Sequence, residues 1–97
     1  MQKQKKTARK IRAEHIRDEA FTEILKIEAQ TNIGGAKETA QWIDNKNARD
    51  GAFIEIVKLE AKTDLDAAQK TAEMISEPAR IKAFIIILLA MGEQKKT

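Results

Sequence analysis

Three side chains of the 97-residue chain have a spacing that suits metal chemistry: His15, Glu19 and Glu23 follow one another at four-residue intervals. On a helix they lie on one face, where a divalent cation could bind if a second chain supplied further ligands. A solvated helix face is the alternative, and we favour it. His15 is the only histidine, and there is no cysteine or tyrosine to act as nucleophile or acid. We predict no metal site, no cofactor and no enzymatic activity.

A second candidate chemistry is the binding of phosphate by a basic N-terminal arm. Residues 1–17 contain seven Lys or Arg and a single Glu, whereas the whole chain has a net charge of only +3. Phosphate contacts would give binding that weakens steeply with salt. No aromatic residue interleaves the arm to stack on bases, so we favour a frayed, charged terminus that keeps the protein in solution. The candidate phosphate-contacting residues are Lys3, Lys5, Lys6, Arg9, Lys10 and Arg12.

Paired glutamates also recur, Glu23 with Glu55 and Glu28 with Glu60, each pair separated by 32 residues. Paired carboxylates can act as acid and base. Here they recur because a whole helix recurs, and we expect all four to be solvent-facing charges that form pairs along the helix.

The composition favours helices. Apolar residues make up 42% of the chain, mostly Ala, Ile, Leu and Val, and charged residues make up 34%. Four Gly and one Pro are too few for the closely spaced turns of a β-sandwich or barrel. The densest apolar run, residues 83–91, is too short to span about 30 Å of hydrocarbon. The N-terminus lacks the apolar core of a secretory signal, so we expect a cytoplasmic protein without membrane contact.

A repeat of about 32 residues runs through the sequence. The motif Thr-Ala-x-x-Ile occurs at residues 7–11, 39–43 and 71–75. Between its copies lies a longer block, in which residues 21–29 match residues 53–61 almost throughout. Self-similarity at this period is typical of stacked helical hairpins.

Both blocks have helical spacing. In the long block Phe21, Ile24 and Leu25 belong to a broad apolar stripe, and in the short block Ala36 and Ala40 permit close packing with a neighbouring helix. The chain therefore reads as six helices, alternately short and long, beginning with a short one.

The joints between these helices carry capping residues. Asn32 and Asp64 can each accept hydrogen bonds from free N–H groups at the start of a short helix. The segment 44–47 can do the same for the second long helix, and Pro78 suits the first turn of the third. Gly92 is expected to end that third helix.

Paired helices with a Gly or Asp turn, an early Ala in the second helix and a closing Pro resemble the tetratricopeptide superfamily of helical repeats. Residues 62–68 and Pro78 carry the resemblance best. The Trp and the Leu-Gly pair of that family's first helix are absent, and units of 31 or 32 residues are shorter than its usual 34. The resemblance implies a right-handed stack with a concave surface that binds proteins or peptides.

The predicted architecture is one all-α domain over residues 1–97. It is a right-handed α-solenoid of about three antiparallel helical hairpins, and a compact six-helix bundle is the alternative. The predicted parts are a basic arm at 1–6, units at about 7–38, 39–70 and 71–92, and a polar tail at 93–97.

Trp42 is the single tryptophan and lies in the second short helix. With Phe21 and Phe53 it is the obvious large side chain to fill the space between helices. A role in stacking on a ligand would require Trp42 to be exposed, so we expect core packing.

The third long helix departs from the other two. Three positions that are polar in both earlier helices have become apolar, namely Ile86, Leu89 and Met91. This helix is therefore apolar around nearly its whole circumference and must be covered. It could be covered by a second copy of the chain, by a different protein, or by closure into a bundle.

We favour a homodimer, since a two-fold axis lets an apolar helix bury itself against its own copy. The predicted interface residues are Ile85, Ile86, Leu89 and Met91. The predicted function is a protein-interaction or assembly module, a scaffold or adaptor that binds another protein or itself. The alternative is a small nucleic-acid-binding protein that uses the basic arm.

Overall fold

The computed structural model describes residues 2–95, and the side chains of residues 3–93. Met1 of the predicted arm and residues 96–97 of the predicted tail lie outside this range. Within it the chain forms six α-helices and no strand, which confirms the all-α prediction. The helices are α1 (Gln2–Arg9), α2 (Glu14–Glu28), α3 (Ile33–Gln41), α4 (Lys46–Glu60), α5 (Leu65–Ala72) and α6 (Ala79–Lys95).

The predicted caps are present at three helix starts. The Asn32 side chain accepts from the N–H of Gly35 at 2.9 Å at the start of α3. Asp64 accepts from the N–H of Ala67 at 3.1 Å at the start of α5. Asn45 plays the same part at the start of α4, at 2.9 Å. Each cap satisfies a backbone donor that has no partner within the helix.

An arginine near the start of each long helix binds the end of the preceding short segment. In all three cases the acceptor is the carbonyl of the isoleucine that closes the Thr-Ala-x-x-Ile motif. The bonds are Arg17 to Ile11 at 3.1 Å, Arg49 to Ile43 at 3.0 Å and Arg80 to Ile75 at 2.8 Å. The two blocks of the sequence repeat are therefore joined by an equivalent hydrogen bond in each repeat, from Nη1 of Arg17 and Arg49 and from Nε of Arg80.

The described residues fall into two compact units, one ending at Ala52 and the other beginning at Phe53, within α4. In the first unit α2 packs against both α1 and α3. In the second unit α5 packs against α6.

The two kinds of helix make different contributions to the core. The long helices supply large buried side chains, such as Phe21 and Leu25 in α2. The short helices supply buried alanines, such as Ala36 and Ala40 in α3, which let the helix axes approach closely. This division is the one that the sequence predicts.

The end of α6 differs from the prediction. The helix continues through Gly92 to Lys95, and no described glycine has a positive φ. Glycine inside a helix costs only about 1 kcal/mol relative to alanine. Gly92 alone is therefore not enough to end α6.

Candidate functional site

The α6 surface is the main exposed apolar feature of the described residues. Nine large apolar side chains between residues 3 and 93 are exposed, and six of them belong to α6. Their exposed fractions run from 37% to 66%, and they comprise Ile81, Phe84, Ile85, Leu88, Leu89 and Met91. These six residues are called the α6 surface below. So many exposed apolar side chains on one helix make the α6 surface the candidate site of this structure.

The α6 surface contains three of the four interface residues predicted from the sequence. Ile85, Leu89 and Met91 are exposed, whereas Ile86 is half-buried. In the second unit, Ile86 and Leu89 line a groove of about 610 Å³ with Lys58 and other residues of α4 and α6.

Three members of the α6 surface are not among the interface residues predicted from the sequence. Phe84 and Leu88 are apolar at the same position of every unit, so no change of residue type drew attention to them. Ile81 was detectable, because it replaces an aspartate that stands at this position of both earlier long helices.

The repeat explains what this exposure means. Counting back 63 residues from Ile81, Phe84, Leu88 and Met91 gives Asp18, Phe21, Leu25 and Glu28 of α2. All four residues of α2 are buried, as are their equivalents in α4, Asp50, Phe53, Val57 and Glu60. The α6 surface therefore includes the face that the other two long helices bury.

In α2, two acidic residues of this face bind the following segment. The carboxylate of Asp18 accepts from the backbone N–H groups of Asp44 and Asn45, both at 3.0 Å. Asp44 is itself paired with Arg17. These bonds fix the turn between α3 and α4. At the equivalent position of α6, Ile81 has no group that could accept such bonds.

Glu28 is the second acidic residue, and the expectation that Glu28 and Glu60 face solvent is wrong. Both are buried, with 4% of each residue exposed. Glu28 accepts from the hydroxyl of Thr39 at 2.7 Å and pairs with the ammonium of Lys5 at 2.8 Å. Burial of a carboxylate is tolerated when it is both paired and hydrogen-bonded.

The same arrangement recurs in the second unit, where Glu60 accepts from the hydroxyl of Thr71 at 2.5 Å. A threonine 11 residues after each glutamate was the available signal in the sequence. Glu23 and Glu55, in contrast, are exposed as expected, and each pairs with a lysine three residues on.

The basic arm is part of a helix, since residues 2–9 form α1. Lys5 is 1% exposed and is held by Glu28, so it does not reach a phosphate in solution. The guanidinium of Arg9 lies 4.8 Å from the centroid of the Trp42 ring. The other candidate phosphate contacts are exposed, namely Lys3, Lys6, Lys10 and Arg12.

Trp42 is half-buried rather than fully enclosed. Its ring meets the ring of Phe21 edge to face, with centroids 5.7 Å apart and planes at 72°. Arg9 and Lys5 both lie within reach of the ring for cation–π attraction. Trp42 thus holds α1 against α2 and α3, a contact between charge and ring that residue types alone did not predict.

The metal hypothesis gains no support from the geometry. His15, Glu19 and Glu23 are exposed along a groove of about 460 Å³ in the first unit. Between residues 2 and 95 no cluster of three or more His, Cys, Asp or Glu side chains is placed to hold a metal ion. The same range contains no helix with the length and apolar character needed to cross a membrane.

No protein-family model, no curated protein and no solved structure matches the chain.

Proposed function

We propose that this protein is a non-enzymatic interaction module, built from helical hairpins, that associates with a second copy of itself through the α6 surface. The observation that carries the proposal is the exposure of six large apolar side chains on one helix. Fully burying such a side chain is worth about 1.5–3 kcal/mol. Only the exposed part of each side chain counts, so six of them on each of two copies contribute roughly 9–19 kcal/mol, which can exceed the cost of association of about 4–15 kcal/mol.

A second copy fits this surface better than another short helix of the repeat. A short helix would present its threonine hydroxyl and the N–H groups of the following turn, which Glu28 and Asp18 satisfy in the first unit. Met91 and Ile81 offer these donors nothing, and each donor left buried without a partner costs about 1–3 kcal/mol. An apolar helix raises no such penalty.

The charges on α6 favour an antiparallel pair. Lys82 and Glu93 are both exposed and lie 11 residues apart, three helical turns, on the same side of the helix as Leu89. When two copies of α6 run antiparallel about a two-fold axis, Lys82 of each copy approaches Glu93 of the other. A parallel pair would bring like charges together.

The arrangement we propose for the hairpins is a right-handed α-solenoid of the tetratricopeptide-like kind. The support is the recurrence of the same arginine-to-isoleucine bond and the same glutamate-to-threonine bond along the chain. Recurring contacts between neighbours are what solenoid stacking requires.

The test is the oligomeric state of the purified chain, measured by sedimentation equilibrium over a wide concentration range. We expect a reversible dimer whose dissociation constant is little changed at 1 M salt, because apolar contacts are not screened. A single monomeric species at the highest concentration would refute self-association.

A further inference from the structure

A groove of about 510 Å³ lies between α1 and α2 in the first unit. Its floor is apolar, and Gln4 and Thr7 line it on the α1 side. Lys3 also lines the groove, and three further cations near this end of the chain, Lys6, Lys10 and Arg12, are exposed. Besides Lys3, the residues that line the groove are Gln4, Thr7, Ala8, Ile11, Ala20 and Ile24.

The repeat identifies this groove as a copy of the protein interior. Thirty-two residues after each of the six stands a residue that is at most 3% exposed: Ala36, Thr39, Ala40, Ile43, Ala52 and Ile56. The equivalent residues of the third repeat are at most 2% exposed. They are Ala68, Thr71, Ala72, Ile75, Ala83 and Ile87. In the groove itself only Ala8 is buried. The same surface is thus enclosed twice along the chain and open once.

Where α3 is enclosed, the helix that packs on it is α2. The contact ends in two polar anchors, because Glu28 accepts from Thr39 and Asp18 accepts from the N–H groups of the turn after α3. Phe21 and Leu25 lie between these anchors and are buried.

The groove offers the corresponding donors. Thr7 stands where Thr39 stands, and Arg12 and Ala13 stand where Asp44 and Asn45 stand. Thr7 is exposed, and no side chain caps α2 at its N-cap residue, Ala13. A carboxylate at each end of a bound helix would therefore meet a hydroxyl and backbone N–H groups, as in the first unit.

We propose that this groove binds an acidic amphipathic helix of a partner protein. The helix would carry an acidic residue, an aromatic, an aliphatic and a glutamate with the spacing of Asp18, Phe21, Leu25 and Glu28. Lys3 at the groove, together with the other exposed cations at this end of the chain, attracts its negative charge. The site involves no residue of the α6 surface and does not depend on the proposed function.

The groove is not a match for α6 of a second copy. The two acidic anchor positions are occupied by Ile81 and Met91 in α6, and Lys82 would add positive charge to a part of the chain that is already basic. Head-to-tail stacking would leave the groove donors without acceptors.

The experiment titrates the full chain into a fluorescently labelled peptide that copies residues 14–28, and follows anisotropy at low salt. This peptide contains five acidic and two basic side chains. We expect saturable 1:1 binding that weakens as salt is raised. Binding should weaken at least tenfold in a peptide with Asp18→Ile and Glu28→Met. Binding should be unchanged for a control peptide with Glu19→Ile and Glu23→Met, which has the same net charge as the first substituted peptide.

A protein variant locates the site. Thr7→Glu places a carboxylate against the peptide's glutamate and should weaken binding at least tenfold, whereas Thr63→Glu, at another exposed threonine, should leave it unchanged. Both positions are exposed, so the helical circular dichroism signal should be preserved.

Four results would overturn the proposal. They are absence of saturable binding, equal binding of the two substituted peptides, tight binding of a peptide copying residues 79–95, and displacement of the peptide by a DNA duplex. The third would indicate head-to-tail stacking through α6, and the fourth a phosphate site.

Discussion

Replacement of Leu88 by lysine tests the α6 surface most directly. Leu88 is 65% exposed, so the substitution puts a charge into the proposed interface without opening a cavity in the monomer. Ile27 on α2 is a matched control, because it is also a large aliphatic residue, 61% exposed, and lies outside the α6 surface. Both variants should fold like the wild type, and the free energy of unfolding should change by no more than about 0.5 kcal/mol.

The size of the effect follows from the exposed area. Full burial of a leucine is worth about 1.5–3 kcal/mol, so burying the exposed two thirds of Leu88 is worth about 1–2 kcal/mol. A two-fold interface contains the residue twice, which gives about 2–4 kcal/mol per dimer. Leu88→Lys should therefore raise the dissociation constant about 30- to 700-fold, and burial of the ammonium adds to this.

Sedimentation velocity over a dilution series measures this constant for the wild type and both variants. We expect Leu88→Lys to be monomeric at concentrations where wild type and Ile27→Lys are dimeric. If Leu88→Lys associates as tightly as the wild type, α6 is not the interface. If Ile27→Lys loses association to the same extent, the effect is general surface charge and the reasoning from the repeat fails.

Three further predictions concern the charges at the edge of the α6 surface, the buried Glu28 and the backbone contacts of Arg80. Lys82→Glu should weaken the dimer, because it brings two negative charges together, and the double variant with Glu93→Lys should restore the dissociation constant. If the double variant associates no better than Lys82→Glu alone, the antiparallel arrangement is excluded. Glu28→Ala should lower the free energy of unfolding by about 3–5 kcal/mol, because it leaves the buried Lys5 without its counter-charge. Urea unfolding should show the double variant with Lys5→Met to be less destabilised than Glu28→Ala alone. Arg80→Ala removes two bonds to backbone carbonyls and should cost about 1.5–3 kcal/mol, and Arg80→Lys should not recover this, because the bonds use two nitrogens of the guanidinium fork.

The repeat made much of the fold predictable. A period visible in residue types indicates where helices begin, and the caps at Asn32 and Asp64 are local, because each side chain binds the backbone three residues on. The apolar character of α6 was also visible, because Ile86, Leu89 and Met91 break a pattern that two earlier copies establish.

Burial of charge was not predictable from the same pattern. Glu23 and Glu28 recur equally well in α4, yet Glu23 is exposed and Glu28 is buried. The difference comes from Lys5 and Thr39, which belong to other helices and meet Glu28 only after the chain has folded. Spacing within one helix does not show such a partner, and only the threonine that recurs 11 residues after each glutamate indicates it.

The polar groups between neighbouring helices account for both proposed surfaces. Lys5 and Glu28 form a buried pair, and in the third unit the positions in register with them hold Gln69 and Met91. Losing only one member would leave a buried charge unpaired, at a cost of about 3–5 kcal/mol, so the two must change together. Their joint loss, with Ile81 in place of aspartate, leaves α6 with an apolar face. The groove beside α1, in contrast, keeps its hydroxyl and N–H donors and still requires an acidic helix. The α6 surface can pair with itself, whereas the groove, with polar donors at both ends of an apolar floor, cannot, so the two are expected to bind different partners.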